Sequence, residues 1–371
     1  MRDLTLSDFP FLASLADSAD PKDRRIWLRV ACDHFVAARP ADPDAVERFA
    51  DAVSRQVETA DLPTVLEAAQ KLAPCPLTPV RLLAKFASVS PEASDYVLEH
   101  GTAYKPADIA AAIESGRAQA IAVARRPDLD VRLISALVAR NEPDVLTALA
   151  GNSKARLEGA VLHGLMQRAR KLAEDAGNRR LAEALLKRRP ARPESAALFL
   201  LADPLQRVEI LLAAQRAQLG RPPGAPARVD PEIVSELEMA ALARHPQRFV
   251  ETLARALECD TELAARIADD PSGEPLAVAM AALGAPSDVL MRVLIANDLQ
   301  AGETYRRIRT LARLNNALNR NAAATVIAAL RGDPPARRRA APQTEAPAAT
   351  REQVLRRPAR PATPPPRKEA V

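Results

Sequence analysis

The sequence predicts an all-α fold, an irregular HEAT/armadillo-like helical repeat, and three observations support this prediction. Ala and Leu dominate a chain in which 48% of residues are hydrophobic and only 3% are aromatic, a composition that favours helices. Apolar residues recur at helical spacings, as in Val208, Leu211 and Leu212. Proline-containing breaks end the apolar segments after roughly ten to fifteen residues. Because the breaks are irregularly spaced, a non-repetitive helical bundle is the alternative.

Related tetrapeptides mark the predicted helix ends, since each places a polar pair and a proline after an apolar segment. They lie at residues 124–127 (ARRP), 187–190 (KRRP), 243–246 (ARHP) and 268–271 (ADDP), with further breaks at 141–143, 151–152 and 203–204. A helix start is predicted at Pro231, because Asp230 can cap it, proline fits the first helical position and Glu232 favours the positive end of the helix dipole. In the region before residue 74, Phe49 and Val53 also have helical spacing.

Two proline-rich stretches divide the predicted fold. Residues 220–229 are predicted to be a linker or a long inter-repeat loop between an N-terminal helical repeat domain, 1–219, and a C-terminal helical segment, 230–331. Residues 332–371 contain nine prolines and hardly a large apolar side chain, so they cannot bury enough surface to fold. We expect them to form a disordered Pro/Arg-rich tail.

The net charge of +5 resides in this predicted tail, which has nine Lys or Arg against four Asp or Glu. Residues 1–331 hold 43 charges of each sign, so the folded part has no overall basic bias. Residues 1–23 have no signal-peptide pattern, and no run of about 18 apolar residues predicts a transmembrane segment. Because Cys32, Cys75 and Cys259 lie far apart, we expect free, buried thiols in a cytoplasmic protein.

Four segments resemble a chiefly alphaproteobacterial family known as domain of unknown function 2336. They are residues 79–84 (PVRLLA), 120–129 (AIAVARRPDL), 131–140 (VRLISALVAR) and 145–152 (VLTALAGN). The resemblance covers about 75–219. It implies a HEAT-type superhelix, in agreement with the predicted fold, and it implies no activity because the family has none assigned.

The common catalytic signatures are absent from the sequence. It has no phosphate-binding loop, no GxSxG or HExxH motif, and only 12 glycines, few for a nucleotide-binding α/β enzyme. The four histidines are far apart, and acidic pairs such as Asp269 and Asp270 are typical of helix ends. We therefore predict no catalytic residue, no cofactor and no metal site, with an enzyme lacking any recognisable motif as a remaining alternative.

One basic segment is a candidate interaction face. No carboxylate occurs from Thr304 to Arg331, and four arginines at offsets of three, seven and fourteen lie within about 60° on a helical wheel. They are Arg306, Arg309, Arg313 and Arg320, beside an apolar face of Ile308, Leu311, Leu314 and Leu318. Such a row can bind phosphates or an acidic partner, or it can be the solvated face of the last helix of an array. Candidate tail contacts are Arg337, Arg338, Arg339, Arg356 and Arg357.

These observations predict a cytoplasmic scaffold for protein–protein interaction, with regulation as its suggested role and an unknown protein as partner. The alternative is a protein that binds nucleic acid or an anionic surface through the basic helix 304–331 and the basic tail. With 3% aromatic residues, base stacking is disfavoured.

Overall fold

The structure is a computed structural model that describes residues 15, 18, 20–40, 42–219, 231–297 and 304–333. These residues form nineteen α-helices and one 3-10 helix, without a strand, which confirms the predicted all-α class. In chain order the α-helices are α1 (Pro21–Ala38), α2 (Pro43–Val57), α3 (Leu62–Leu72), α4 (Val80–Ala87), α5 (Pro91–His100), α6 (Pro106–Ser115), α7 (Arg117–Ala124), α8 (Val131–Ala139), α9 (Pro143–Gly151), α10 (Gly159–Ala176), α11 (Arg180–Leu186), α12 (Pro204–Gln218), α13 (Pro231–Leu242), α14 (Pro246–Leu257), α15 (Thr261–Ala268), α16 (Glu274–Leu283), α17 (Ser287–Asn297), α18 (Thr304–Ala317) and α19 (Arg320–Arg331). The 3-10 helix, Pro193–Leu201, lies between α11 and α12.

The helix boundaries follow local chemistry. The four predicted stops coincide with the ends of α7, α11, α13 and α15, and α13 begins at Pro231 as predicted. Proline occupies the first turn of most helices, where its missing N–H costs no hydrogen bond. Several helices begin after a side chain that accepts a first-turn backbone N–H, an interaction that stabilises each helix by about 1 kcal/mol. These capping residues are Asp20, Asp42, Ser90, Asp130, Asp203, Asp260 and Asn319.

An arginine at one of the stops also caps an earlier helix. The guanidinium of Arg126, which is only 2% exposed, donates to Leu98 O at 2.6 Å and Gly101 O at 2.9 Å, at the end of α5. Asp128 pairs with the same guanidinium at 2.8 Å. The last carbonyls of a helix have no partner within it. Arg126 therefore satisfies groups at the end of α5 and ties that helix to α7.

The same arrangement recurs along the chain. Arg140 donates to Ile113 O at the end of α6, Arg188 to Ala150 O and Asn152 O at the end of α9, and Arg331 to Leu257 O at the end of α14. In two of these cases a carboxylate two residues later, Glu142 or Asp333, pairs with the arginine. We call Arg126, Arg140, Arg188 and Arg331 the capping arginines.

Helix packing is mainly local in the first half of the described chain and long-range in the second. From α1 to α11 most helices contact their next or next-but-one neighbour, as α5 does with α7 and α7 with α9. Helix α19 instead packs against α12, α16 and the 3-10 helix. One hydrophobic core joins side chains from Leu15 to Val97, and a second extends from Ile109 to Leu330. The second core thus contains residues from both sides of 220–230.

A buried ion-pair cluster reinforces this second core. Arg207 of α12 is 7% exposed, and its guanidinium lies 2.8 Å from Asp270 and 3.1 Å from Glu274. It also donates to Phe199 O at 3.2 Å and lies 5.5 Å from the centre of the Phe199 ring. These contacts fix the rotation of α12 about its axis.

Predicted features outside the described residues are the linker or loop 220–229 and nearly all of the tail. Gly332 and Asp333 are described, and they belong to the end of α19. No helix within the described ranges is long and apolar enough to cross a membrane.

Candidate interaction surfaces

The predicted arginine row is divided between two helices. Arg306, Arg309 and Arg313 lie on α18, and all three side chains are exposed. Arg320 does not continue the row, because α18 ends at Ala317 and Asn319 caps the new helix α19. The prediction that all four arginines lie on one helix is therefore wrong for Arg320.

The environment of Arg320 also differs from that of the other three. It is half-buried, and its Nε donates to Ala282 O at 3.1 Å, near the end of α16. By contrast, Arg306, Arg309 and Arg313 form no ion pair with any carboxylate in the described part of the chain. We use the term α18 row for these three arginines.

The opposite face of α18 is buried as predicted. Ile308 and Leu311 are 7% and 3% exposed, and the helix packs against α16 and α17. Burial of these side chains fixes the orientation of α18, so its arginines point to solvent. The candidate tail contacts, Arg337, Arg338, Arg339, Arg356 and Arg357, lie outside the described residues.

An apolar surface on α12 was missed by the sequence prediction. Leu205, Val208, Leu212 and Leu219 are 67%, 50%, 42% and 78% exposed, at successive spacings of three, four and seven. The spacings place Leu205, Val208 and Leu212 on one side of the helix, and Leu219 is the residue that directly follows its last turn, with an extended backbone. We call them the α12 stripe.

The sequence pattern did not separate this stripe from the core. Helical spacing places Val208, Leu211 and Leu212 on one apolar face, but of these three only Leu211 is buried. The buried residues of α12 are Arg207, Ile210, Leu211, Ala213 and Ala214, centred on roughly the opposite side of the helix from the stripe. The apolar residues of α12 lie on more than one face, so periodicity alone could not identify the inner one.

The thiols behave as structural groups. Cys32 and Cys75 are buried and free, as predicted. Burial raises the pKa of Cys32 to about 12. Cys259 is only partly buried and borders a cavity of about 540 Å³, where burial and then Asp260 raise its pKa. Because the thiolate is the reactive form, these environments disfavour nucleophilic chemistry.

In the described ranges, no group of three or more His, Cys, Asp or Glu side chains is arranged so that it could bind a metal ion.

A scan against protein-family models, a search of curated proteins and a search of solved structures found no match to this chain. The resemblance to domain of unknown function 2336 stays a prediction.

Proposed function

We propose that this chain is a cytoplasmic helical-repeat scaffold that binds a protein partner through the α12 stripe. The observation that carries the proposal is the exposure of Leu205, Val208 and Leu212 along one side of a well-packed helix, with exposed Leu219 directly after its end. Single exposed apolar residues are ordinary, whereas a contiguous row at helical spacing is typical of an interaction surface. The role is binding, with no catalytic step.

The geometry of the stripe favours a helical partner. An amphipathic helix presents apolar side chains at i, i+3, i+4 and i+7, which can pack against the i, i+3 and i+7 positions that Leu205, Val208 and Leu212 occupy. Full burial of a Leu or Val side chain contributes about 1.5–3 kcal/mol relative to exposure. Four such residues supply enough apolar surface for the centre of an interface, after the cost of association is subtracted.

The helix contacts support a repeat of HEAT type within this scaffold. Consecutive helix pairs in solenoids contact the preceding and following pairs, and the contacts from α1 to α11 follow that pattern. Three capping arginines, Arg126, Arg140 and Arg188, add a further regular connection, because each ties the end of one helix to the segment after the next helix but one. The packing of α19 against α12 and the 3-10 helix brings the last described helix back to the middle of the chain, which departs from a simple open solenoid.

Substitution of the stripe tests this function. We expect the variant Leu205→Gln, Leu212→Gln, Leu219→Gln to lose a protein that co-purifies stoichiometrically with the wild type from its native host, as measured by quantitative mass spectrometry. Its melting temperature should stay within about 3 °C of the wild type, because the three side chains are exposed and surface changes have small effects.

The matched control is Val131→Gln, Met239→Gln, Ile295→Gln. These residues are 73%, 62% and 58% exposed, but they lie on three different helices. The control should retain the partner. Retention by the stripe variant, or the absence of a stoichiometric partner of the wild type, would contradict the proposal.

A second candidate function is binding of an anionic macromolecule through the α18 row. Its specific support is the exposure of Arg306, Arg309 and Arg313 without an ion pair to a described carboxylate. Each cation that contacts a duplex phosphate contributes about −0.9 to the slope of log K against log salt. Duplex DNA binding by the wild type with a slope that the triple Gln variant reduces would favour this function over the scaffold.

A further inference from the structure

A small cleft with a basic rim lies between the segment after α9 and the segment after α11. Its volume is about 300 Å³. Four apolar side chains, each at most 3% exposed, form its floor: Leu157, Leu162, Met166 and Leu185. Five cations surround it, namely Lys154, Arg156, Arg188, Arg189 and Arg192. Glu158 is the single carboxylate among the residues that line it. We call this site the basic cleft.

The partners of these cations leave an excess of positive charge. Arg192 pairs with Glu158 at 3.1 Å, and Arg189 pairs at 2.6 Å with Glu209, which lies outside the lining. Both Lys154 and Arg156 are exposed, and neither forms an ion pair with a carboxylate of the described ranges.

Arg188 is the most enclosed of the five cations, and its partners are neutral. Its Nη1 donates to Ala150 O at 2.9 Å and Asn152 O at 2.7 Å, and its Nη2 donates to Ala155 O at 2.6 Å. Burial, and then the charge of Arg192, lower its pKa. Both effects disfavour the charged guanidinium, so an anion in the cleft would stabilise it.

A hydroxyl donor also borders the basic cleft. Ser195 is 6% exposed, and its Oγ accepts the backbone N–H of Arg192 at 3.4 Å. No acceptor for its O–H proton lies among the described residues. Because Ser195 lines the cleft, its O–H can donate to an anion bound there.

We propose that the basic cleft binds a small organic phosphate, with the phosphoryl group among the rim cations and the apolar part of the ligand on the floor. A phosphoryl group carries about −1.5 to −2 charges at neutral pH. This charge balances the excess of cations in the cleft better than the single charge of a carboxylate ligand would. Guanidinium groups bind phosphate oxygens through paired N–H donors. The apolar floor distinguishes an organic phosphate from the inorganic ion. This site is separate from the α12 stripe and does not depend on the scaffold function.

Isothermal titration calorimetry with three matched ligands tests the class of ligand. Phenyl phosphate combines the charge and the apolar body, benzoate keeps the body with one negative charge, and inorganic phosphate lacks the body. We expect phenyl phosphate to bind the full chain with a Kd below about 1 mM and at least about tenfold more tightly than the other two. No saturable binding of phenyl phosphate at about 10 mM, or equal affinity for either comparison ligand, would overturn the proposal.

A pair of variants locates the site. Lys154→Gln with Arg156→Gln removes two exposed cations from the rim and leaves Arg188 and its carbonyl contacts intact. We expect this variant to weaken phenyl phosphate binding at least about tenfold while its melting temperature stays near that of the wild type. The control, Arg55→Gln with Arg132→Gln, removes the same charge from two exposed positions on α2 and α8, outside the cleft, and should change the affinity less than twofold. Equal losses in both variants, or none in the cleft variant, would show that the phosphate does not bind at this site.

Discussion

At the scale of single residues, burial gives adjacent arginines different roles. Arg126 is 2% exposed and bonds to two carbonyls at the end of α5. Its neighbour Arg125 has a side chain that is 52% exposed and lies 4.0 Å from Glu99. Both positions are arginine, so residue type and helix propensity cannot distinguish their roles. Only the tertiary contacts do.

Replacing each of these arginines by leucine should separate a structural role from a surface role. We expect Arg126→Leu to lower the free energy of unfolding by about 3 kcal/mol, because two carbonyls lose their donors and Asp128 loses its partner. Arg125→Leu should change it by less than about 0.5 kcal/mol, since exposed ion pairs contribute little. Urea unfolding followed by circular dichroism measures both values. Equal effects would show that Arg126 is not a cap.

The Arg207 cluster should make stability depend on pH. Burial acts against ionisation of Asp270, but hydrogen bonds from Arg207 and Ser272 outweigh it and hold the pKa of Asp270 below its ordinary value. A lowered folded-state pKa contributes stability that is complete above the unfolded value of about 3.9 and is lost as pH falls through the folded value. We therefore expect Asp270→Asn to lower the melting temperature at pH 7.

The same variant should differ less from the wild type in acid. Below about pH 4 the wild type progressively loses the contribution of the ionised Asp270, whereas the amide that replaces this carboxylate in the variant has no proton to gain. The difference in melting temperature should narrow between about pH 5 and pH 2. A constant difference over this range would mean that the carboxylate of Asp270 does not contribute through its charge.

At the scale of helices, the sequence predicted boundaries better than faces. The end of α7 before Arg125 and the start of α13 at Pro231 were predicted correctly, because proline and polar capping groups act within a few residues. The inner face of α12 could not be derived from its apolar spacing, because it depends on the contact of Arg207 with Asp270, 63 residues later. The break before Arg320 had a local signal that was missed, since Asn319 is a favourable N-cap.

Because the predicted arginine row is divided between α18 and α19, its members should differ in their contribution to stability. Substitution of all three α18-row residues, Arg306, Arg309 and Arg313, by glutamine should leave helicity unchanged and the melting temperature within about 2 °C, because glutamine is a comparable helix former. Arg320→Gln should lower the melting temperature by more than the triple variant does, because the donor to Ala282 O is lost. The reverse order in differential scanning calorimetry would contradict this assignment.

At the scale of the whole molecule, α19 connects parts of the chain that are distant in sequence. Its Ala322, Ala323 and Val326 are fully buried, and the helix contacts α12, α16 and the 3-10 helix. On the adjoining α10, Gln167 donates to Ala329 O at 3.3 Å, across 162 residues. Apolar periodicity predicts that such a helix has a buried face but does not specify which distant helices cover it.

The predicted boundary of the tail at residue 332 requires a small correction, because two further residues complete α19. Gly332 has a φ of 93°, a left-handed conformation that glycine adopts without strain. The backbone N–H of Asp333 donates to Ala328 O at 2.9 Å, and its carboxylate pairs with Arg331. Together these contacts form a C-terminal cap of the Schellman type.

Two truncations test this boundary. Removal of residues 336–371 should leave the melting temperature and the helical circular dichroism of the remaining chain unchanged, because the prolines and charges of that segment provide too little apolar surface for a core. Removal of residues 332–371 should lower the melting temperature by several degrees relative to the shorter truncation, because α19 loses its cap and Arg331 loses the carboxylate of Asp333. The variant Gly332→Ala in the full chain should reproduce part of this loss, since a side chain at this φ is strained. Identical melting of both truncations would place the boundary at residue 332, and a lower melting temperature after removal of 336–371 alone would show that the tail contributes to the fold.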